Sequence, residues 1–283
     1  MASTDQMAVP LDAEEQRRIR NARLEAVGRW LLPFTIMVLA IALWDRIVVW
    51  NEIPHYILPR PVNVLQALID DRELLFGSLL VTLRITGLSL LLAVVGGVGL
   101  AVLFAQSKWV EMSFFPFAIV LQVTPIVAIF PLINIYVDTQ TAKLLLCAWI
   151  LAFFPILSNT TLGLNSVDRN LRDLFRLNGA TRWQELWHLR LPAAMPYFLG
   201  GLKIAGGLAL IGAVVAEFVA GASGQSSGLA SRIIEAGYRL RTARLFAALI
   251  LISFTGIIIF MALTWLSHMV LRRWHESAIR QER

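Results

Sequence analysis

A single cysteine, Cys147, stands in a chain of 283 residues and lies inside an apolar run, so no disulfide framework can hold this protein together. Lysine is nearly as scarce. Lys108, Lys143 and Lys203 complete the set and none follows a glycine, which removes any Walker A loop and leaves nucleotide hydrolysis to a separate chain. The four histidines, His55, His188, His268 and His275, are spread over different loops and ends. Neither a metal-ligand cluster nor a histidine-based triad is expected from them. Ser223, Ser226 and Ser227 fall in a glycine-rich turn without a nucleophile elbow. The residues propose no catalysis, no bound cofactor and no metal, and the chain reads as something other than an enzyme.

Charge is thin as well, at 16% of residues against 57% hydrophobic, with a mean hydropathy of +0.67. Soluble domains rarely have this balance, and several runs reach the length of a bilayer crossing. The expectation is an all-α integral membrane protein with six transmembrane helices near 31–50, 85–106, 112–136, 142–163, 197–220 and 245–269. Residues 1–29 form a polar N-terminal segment, read equally as a surface helix or as a tail ending in a helical turn, and 271–283 form a polar tail. The first apolar run is too long for the core of a signal peptide and no small-residue cleavage site follows it, so it is expected to be a retained span. The net charge of +6 does not point to nucleic acid, because the basic residues lie in the loops, where membrane orientation explains them.

Small residues mark the helix contacts. Ala93, Gly97, Ala101 and Ala105 recur every four residues in the second span, and Gly201, Ala205, Ala209 and Ala213 do so in the fifth. In lipid such stripes let backbones approach closely. Pro125 and Pro131 are expected to kink the third span. One step beyond the fifth-span stripe stands Glu217. A carboxylate there is read either as a contact on a transport path or as a structural group bonded to backbone or arginine near the outer interface, the second reading standing somewhat ahead.

The longest polar interruption, Ser166 to Pro196, is expected to fold as two short helices. Asp168 caps the first and Gly179 ends it in the left-handed conformation. Thr181 with Gln184 forms a capping box for the second, which Pro192 closes. Leu171, Leu174, Phe175 and Asn178 share one face of the first helix, ringed by Arg169, Arg172, Asp173 and Arg176. Such a helix has little core of its own and needs a partner, either the lipid surface or another protein.

Gly179, nine residues, then Leu189-Arg190-Leu191-Pro192 resembles the cytoplasmic loop of bacterial ABC-importer permeases, whose signature is Glu-Ala-Ala, three residues, Gly, nine residues, Ile-x-Leu-Pro. Asp173-Leu174-Phe175 stands where the opening triplet is expected. Further matches flank it: Leu58-Pro59-Arg60-Pro61, with Arg60 in place of a serine; Thr82-Leu83-Arg84; Thr124-Pro125; Phe130-Pro131-Leu132; Phe153-Phe154-Pro155-Ile156; Asn159-Thr160; and Gly228-Leu229, with Ala230 for a second glycine. Asn134 to Val137 departs from the usual Trp-Phe-Gly. The resemblance covers residues 55 to 270 and is closest to the nitrate, sulfonate and taurine branch. It implies the type I importer architecture, with residues 30–270 as the permease domain and 164–196 as a cytoplasmic coupling loop. It implies that Asp168, Arg169, Leu171, Arg172, Asp173, Leu174, Phe175, Asn178, Gly179, Ala180, Leu191 and Pro192 meet an ATPase. It further implies that Thr124, Pro125, Pro131, Asn159, Glu217 and Gly228 belong to the pathway or its gate.

Six spans put both termini on one side. With that side inside, inner segments carry fifteen basic residues and outer segments eight, which makes the 164–196 loop cytoplasmic. The function expected is that of the permease subunit of an ATP-driven importer in the bacterial inner membrane. The implied partners are a second permease copy forming a homodimer, two ATP-binding-cassette ATPases that bind the ATP, an extracytoplasmic solute-binding protein and the bilayer. A small organic anion such as a sulfonate is the favoured solute, and a vitamin precursor or flavin-like heterocycle is the alternative. A stand-alone secondary transporter is the reading from another class. It would call for an inverted repeat or paired intramembrane charges, and the sequence offers no convincing repeat.

Overall fold

A computed structural model describes residues 13–221 and 227–272, all of whose regular elements are helical. The first twelve residues of the polar N-terminal segment, residues 222–226 with Ser223 and Ser226, and the tail from 273 onward lie outside the described residues. The chain divides into two compact units, one ending at Asn63 and the other starting at Val64.

The first unit is dominated by α1 (Ala13–Trp50), one helix that runs through the boundary expected near residue 30 and through Pro33. Its apolar part, Leu31–Trp50, is long enough to cross a bilayer. Arg60, in the rigid Leu58–Pro61 connection, forks onto Asp45 with Nε at 2.9 Å from Oδ1 and a terminal nitrogen at 3.2 Å from Oδ2. This is the geometry in which a guanidinium suits a carboxylate best, and it gives the arginine that replaces serine a local role.

The second unit follows α2 (Pro61–Asp70) with α3 (Arg72–Gln106), which begins thirteen residues before the expected start of the second span at Ile85. The reason is local: between Arg72 and Ile85 no proline or glycine pair interrupts the ladder, so the Ser78–Arg84 stretch continues the span as helix. Ser107 separates α3 from α4 (Lys108–Val123), and Thr124-Pro125 separates α4 from α5 (Ile126–Tyr136). The axes of α4 and α5 differ by 103°, so the expected third span is a broken one. Pro125 cannot donate a backbone hydrogen bond and holds Thr124 extended, which ends α4; Pro131, by contrast, sits inside α5. The remaining spans are α6 (Gln140–Asn165), α9 (Leu191–Ala220) and α11 (Thr242–Leu271), with α7 (Arg169–Leu177), α8 (Arg182–Glu185) and α10 (Leu229–Tyr238) as short helices between them.

The core of this unit is α6 laid antiparallel along α9, with α3 against α6. A side chain at Gly163 would strike Ala194 and Tyr197, one at Gly201 would strike Pro155 and Asn159, and one at Gly212 would strike the Ala148 backbone, which fixes the register along the whole contact. Gly97 of α3 meets Ile156 and Leu157 in the same way. Both small-residue stripes lie on these contacts: Ala93, Gly97 and Ala101 are buried, as are Gly201, Ala205, Ala209 and Ala213. Close packing of this kind is what joins helices where no hydrophobic drive separates protein from lipid.

Gly212→Val would press its methyl groups into Ala148 at a place where ideal Cβ placement already lies 2.7 Å from that Cα. Overpacking of this kind costs about 1–3 kcal/mol. The expected outcome is a lowered melting temperature of the detergent-solubilised chain, with Gly207→Val, which faces open space, as the neutral comparison.

Candidate functional site

Two polar clusters flank the ends of α9, and between them they hold most of the residues singled out in the sequence. At the N-terminal end is the α7–α8 hairpin. The Asp168 carboxylate accepts from Asn170 N at 2.7 Å, closing the start of α7. At its end Asn178 donates its side-chain amide to Leu174 O at 2.8 Å, and Gly179 takes φ +74°. That backbone angle belongs to the left-handed region and favours glycine. Thr181 Oγ1 accepts from Gln184 N while Gln184 Oε1 accepts from Thr181 N, so the capping box is complete.

No residue of α7 is buried, and Leu171 and Leu174 are 48% and 53% exposed. Phe175 is half-buried, and a groove of about 460 Å³ runs beside Leu174, Phe175, Gly179, Ala180 and His188. An apolar face this open is unusual for a helix that already has a neighbour. Arg169 and Asp173 are exposed beside it.

One expectation fails here. Pro192 does not close the second helix: α8 passes through a π turn, Leu186–Arg190, directly into α9, and Leu191 and Pro192 form the first turn of that helix. A proline in a first turn blocks no ladder bond, and the π turn, closed by Leu191 N donating to Leu186 O, re-spaces the backbone just before it.

The residue that organises the hairpin was not singled out in the sequence. Glu185 is 5% exposed and accepts from Arg190 Nε at 2.7 Å and Arg172 Nε at 3.1 Å. Arg190 also donates to Ala105 O at 2.8 Å, the last turn of α3. Through Glu185, α7 is therefore tied to the start of α9 and to the end of α3. The only trace of this in the sequence is the pair Arg172 and Arg176 on one helical face with a carboxylate in the next helix, a pattern common on solvated surfaces.

At the other end of α9, about 39 Å away by helical rise from Leu191, Glu217 is 1% exposed. Thr82 Oγ1 of α3 donates to its Oε1 at 2.8 Å, and Ala230 N of α10 donates to its Oε2 at 2.9 Å. Leu229 N in turn donates to Thr82 Oγ1 at 3.0 Å. Gly228 lies directly on the carboxylate, where any side chain would collide with it. Glu217 and Gly228 are thus brought together as one latch holding the N-terminal end of α10 on α3 and α9. Further bonds reinforce it: Arg232 Nε donates to Ser78 Oγ at 2.9 Å, and Arg244 grips Asp71 with two bonds. Arg232 also bonds Glu235 at 2.8 Å, and this guanidinium holds the Glu235 carboxyl below the ordinary glutamate range.

The other expected pathway residues are not part of that cluster. Thr124 and Pro125 sit at the α4–α5 break, with Thr124 Oγ1 donating to Val120 O, and Pro131 is exposed on α5. Asn159 donates to Pro155 O at 2.8 Å on α6, opposite Gly201, and is therefore about 24 Å along α9 from Glu217. Lys203, half-buried in α9, is a further charge within a span, to which the sequence reading gave no role. Among the described residues no group of three metal-ligating side chains occurs.

Residues 93–280 match the family of the binding-protein-dependent transport system inner membrane component. The riboflavin transport system permease protein of Chloroflexus aurantiacus is 33% identical over 92% of this chain and 95% of its own. A putative aliphatic sulfonates transport permease protein of Bacillus subtilis is 31% identical over 80% of this chain and 82% of its own. Among solved structures, an amino acid ABC transporter shares the fold with a TM-score of 0.59 and 18% identity, over 74% of this chain and 97% of that one.

Glu185→Ala would leave Arg172 and Arg190 without their shared carboxylate, and breaking a buried pair in this way costs about 3–5 kcal/mol. The expected result is faster proteolysis within residues 166–182 of the membrane-inserted chain, while the α6–α9 core remains protected.

Proposed function

The chain belongs to the family of inner membrane components of binding-protein-dependent transport systems, and from that membership we propose that it is driven through α7 by a separate ATPase. It is a multi-pass permease subunit of an ABC importer for small solutes, and it is not an enzyme. The observation that carries the drive is the apolar face of α7, with Leu171 and Leu174 exposed and Phe175 half-buried beside them, on a helix braced by Glu185. A face of this kind suits a cleft on another protein, and a braced helix transmits displacement where a loose one would absorb it. Arg169, Arg172, Asp173, Asn178, Gly179 and Ala180 then belong to the contact or its frame, and Leu191 and Pro192 carry the movement into α9.

The assembly proposed is two copies of this chain, two ATPase subunits and an external solute-binding protein, with the α7 side and both termini in the cytoplasm. The basic residues of the 164–196 loop support that orientation. At the far end of α9, the Glu217–Thr82–Ala230 latch sets the position of α10, which we assign to the gate together with Thr124, Pro125, Pro131, Asn159 and Gly228. Glu217 acts there as a structural clamp rather than as a solute contact, because both carboxylate oxygens are already taken by protein donors.

Two solutes fit. The likeness to a sulfonate permease supports a small organic anion. The arginines near α10 lend that reading little, since Arg232 and Arg239 pair with Glu235 and Arg244 pairs with Asp71. The likeness to a riboflavin permease over nearly the whole chain supports a heterocyclic vitamin or its precursor. Ligand carried by the solute-binding protein that docks on this permease distinguishes them.

Leu174→Asp with Phe175→Asp is expected to abolish co-purification of the ATPase while membrane insertion persists; unchanged association overturns the docking role. Glu217→Gln keeps the shape of the clamp and replaces one acceptor by a donor facing Ala230 N or Thr82. Loss of one such bond costs about 1–3 kcal/mol, so the variant is expected to assemble with a less protected α10 in hydrogen exchange. Wild-type protection with reduced transport would instead make the carboxylate a solute contact.

A further inference from the structure

Between the α7–α8 hairpin and the end of α3 lies a cavity of about 550 Å³ lined by Arg172, Arg176, Arg182, Arg190, Glu185, Ala180 and the last two residues of α3, Ala105 and Gln106; Ala180 is shared with the apolar groove. Four guanidinium groups face one carboxylate, so the lining keeps an excess of positive charge after Glu185 is counted. Much of their bonding capacity is unspent. Arg190 is committed to Glu185 and Ala105 O, but Arg172 engages Glu185 through Nε alone. Arg176 comes no nearer than 3.7 Å to Glu185 and 4.0 Å to Asp173, beyond hydrogen-bond reach, and Arg182 makes one long bond of 3.5 Å to Gln106 O. Arginines left this way present planar donor forks suited to phosphate oxygens.

The level of the cavity says which phosphate. Its floor is the end of α3, a helix apolar enough to cross the bilayer, so it opens where that span leaves the hydrocarbon. Trp183 and Trp187, four residues apart in the hairpin, are 62% and 64% exposed, and Trp109 at the start of α4 is exposed as well, three residues after Gln106. Exposed tryptophans at such a level form the aromatic belt that sits among lipid headgroups. A basic pocket between membrane helices beside such a belt has the character of a headgroup site.

We propose that this cavity binds the phosphodiester headgroup of an anionic phospholipid, held by Arg172, Arg176 and Arg182, with Trp183 and Trp187 against the acyl region. The site requires only that the chain spans a bilayer, and Arg176 and Arg182, which hold the headgroup, line this cavity and not the apolar groove. Because Arg172 belongs both to this cavity and to the Glu185 brace, an occupied site would steady α7 from the membrane side.

The test uses the full chain in phosphatidylcholine vesicles with and without phosphatidylglycerol, extracted gently and weighed with its bound lipid by native mass spectrometry. Wild type is expected to retain phosphatidylglycerol over phosphatidylcholine. Arg176→Gln with Arg182→Gln should reduce that preference by roughly thirtyfold, as expected for removing two charges beside an anionic surface. Arg182→Gln alone should give an intermediate loss, and Arg239→Gln with Arg241→Gln at the other end of the molecule should give none. Equal retention by the wild type and the double variant overturns the proposal. Displacement of the lipid by inorganic phosphate in the water phase also overturns it, in favour of a soluble anion. Unchanged lipid retention with loss of the ATPase from the double variant overturns it as well, and assigns the arginines to the protein partner.

Discussion

The antiparallel contact of α6 with α9 is the constraint on which the rest of this molecule depends. At Gly163, Gly201 and Gly212 the two backbones come so near that no side chain fits between them. Contacts at three levels leave no freedom to slide, because a shift by one residue would drive a Cβ into the facing helix at every level. α9 is therefore held in register, and what is attached to one of its ends is fixed relative to what is attached to the other. Through the π turn, the α7–α8 hairpin is continuous with the first of those ends. Through Glu217, α10 is bonded to the second.

The two ends solve the same electrostatic problem differently. A carboxyl group removed from water must have its oxygens met by hydrogen-bond partners. Near the edge of the span, Glu185 is surrounded by guanidinium groups, which themselves keep contact with water and with the carbonyls ending α3. Deeper in, Glu217 is met by neutral donors, a threonine hydroxyl and a backbone N–H that would otherwise be an orphan at the start of α10. The second arrangement joins three helices without bringing any second charge into the apolar region. It also explains why Gly228 precedes α10, since a larger residue there would push the helix off the carboxylate.

Features written in local chemistry were legible in the sequence. The small-residue stripes, the Asp168 cap, the capping box at Thr181 and the left-handed Gly179 each follow from a few neighbouring residues, and the break at Thr124-Pro125 follows from the proline. The all-helical membrane fold and the permease family were legible for the same reason, as spacing and apolar length. What could not be read was set by residues far apart in the chain. The 103° between α4 and α5 is a matter of what the second segment packs on, not of the proline that permits the bend. Pro192 looked like a helix end because its meaning changes when a π turn precedes it, and a π turn has no reliable local signal. Glu185 passed unnoticed because Arg172 lies in another helix and Arg190 reaches it only across the π turn.

The placement of charge also bears on how selectivity can arise. Close to α10, Arg232, Arg239 and Arg244 are spent on Glu235 and Asp71, and Arg232 further on Ser78. Charges used in this way fix helices relative to one another, and a solute could recruit them only by breaking those bonds. A guanidinium withdrawn from a paired carboxylate leaves that carboxylate uncompensated, so the recruitment is unfavourable even for a well-matched anion. The helices that surround α10 are thus built to hold position. Selection of an anion by these arginines is therefore disfavoured, and their bonds serve the placement of α10 instead.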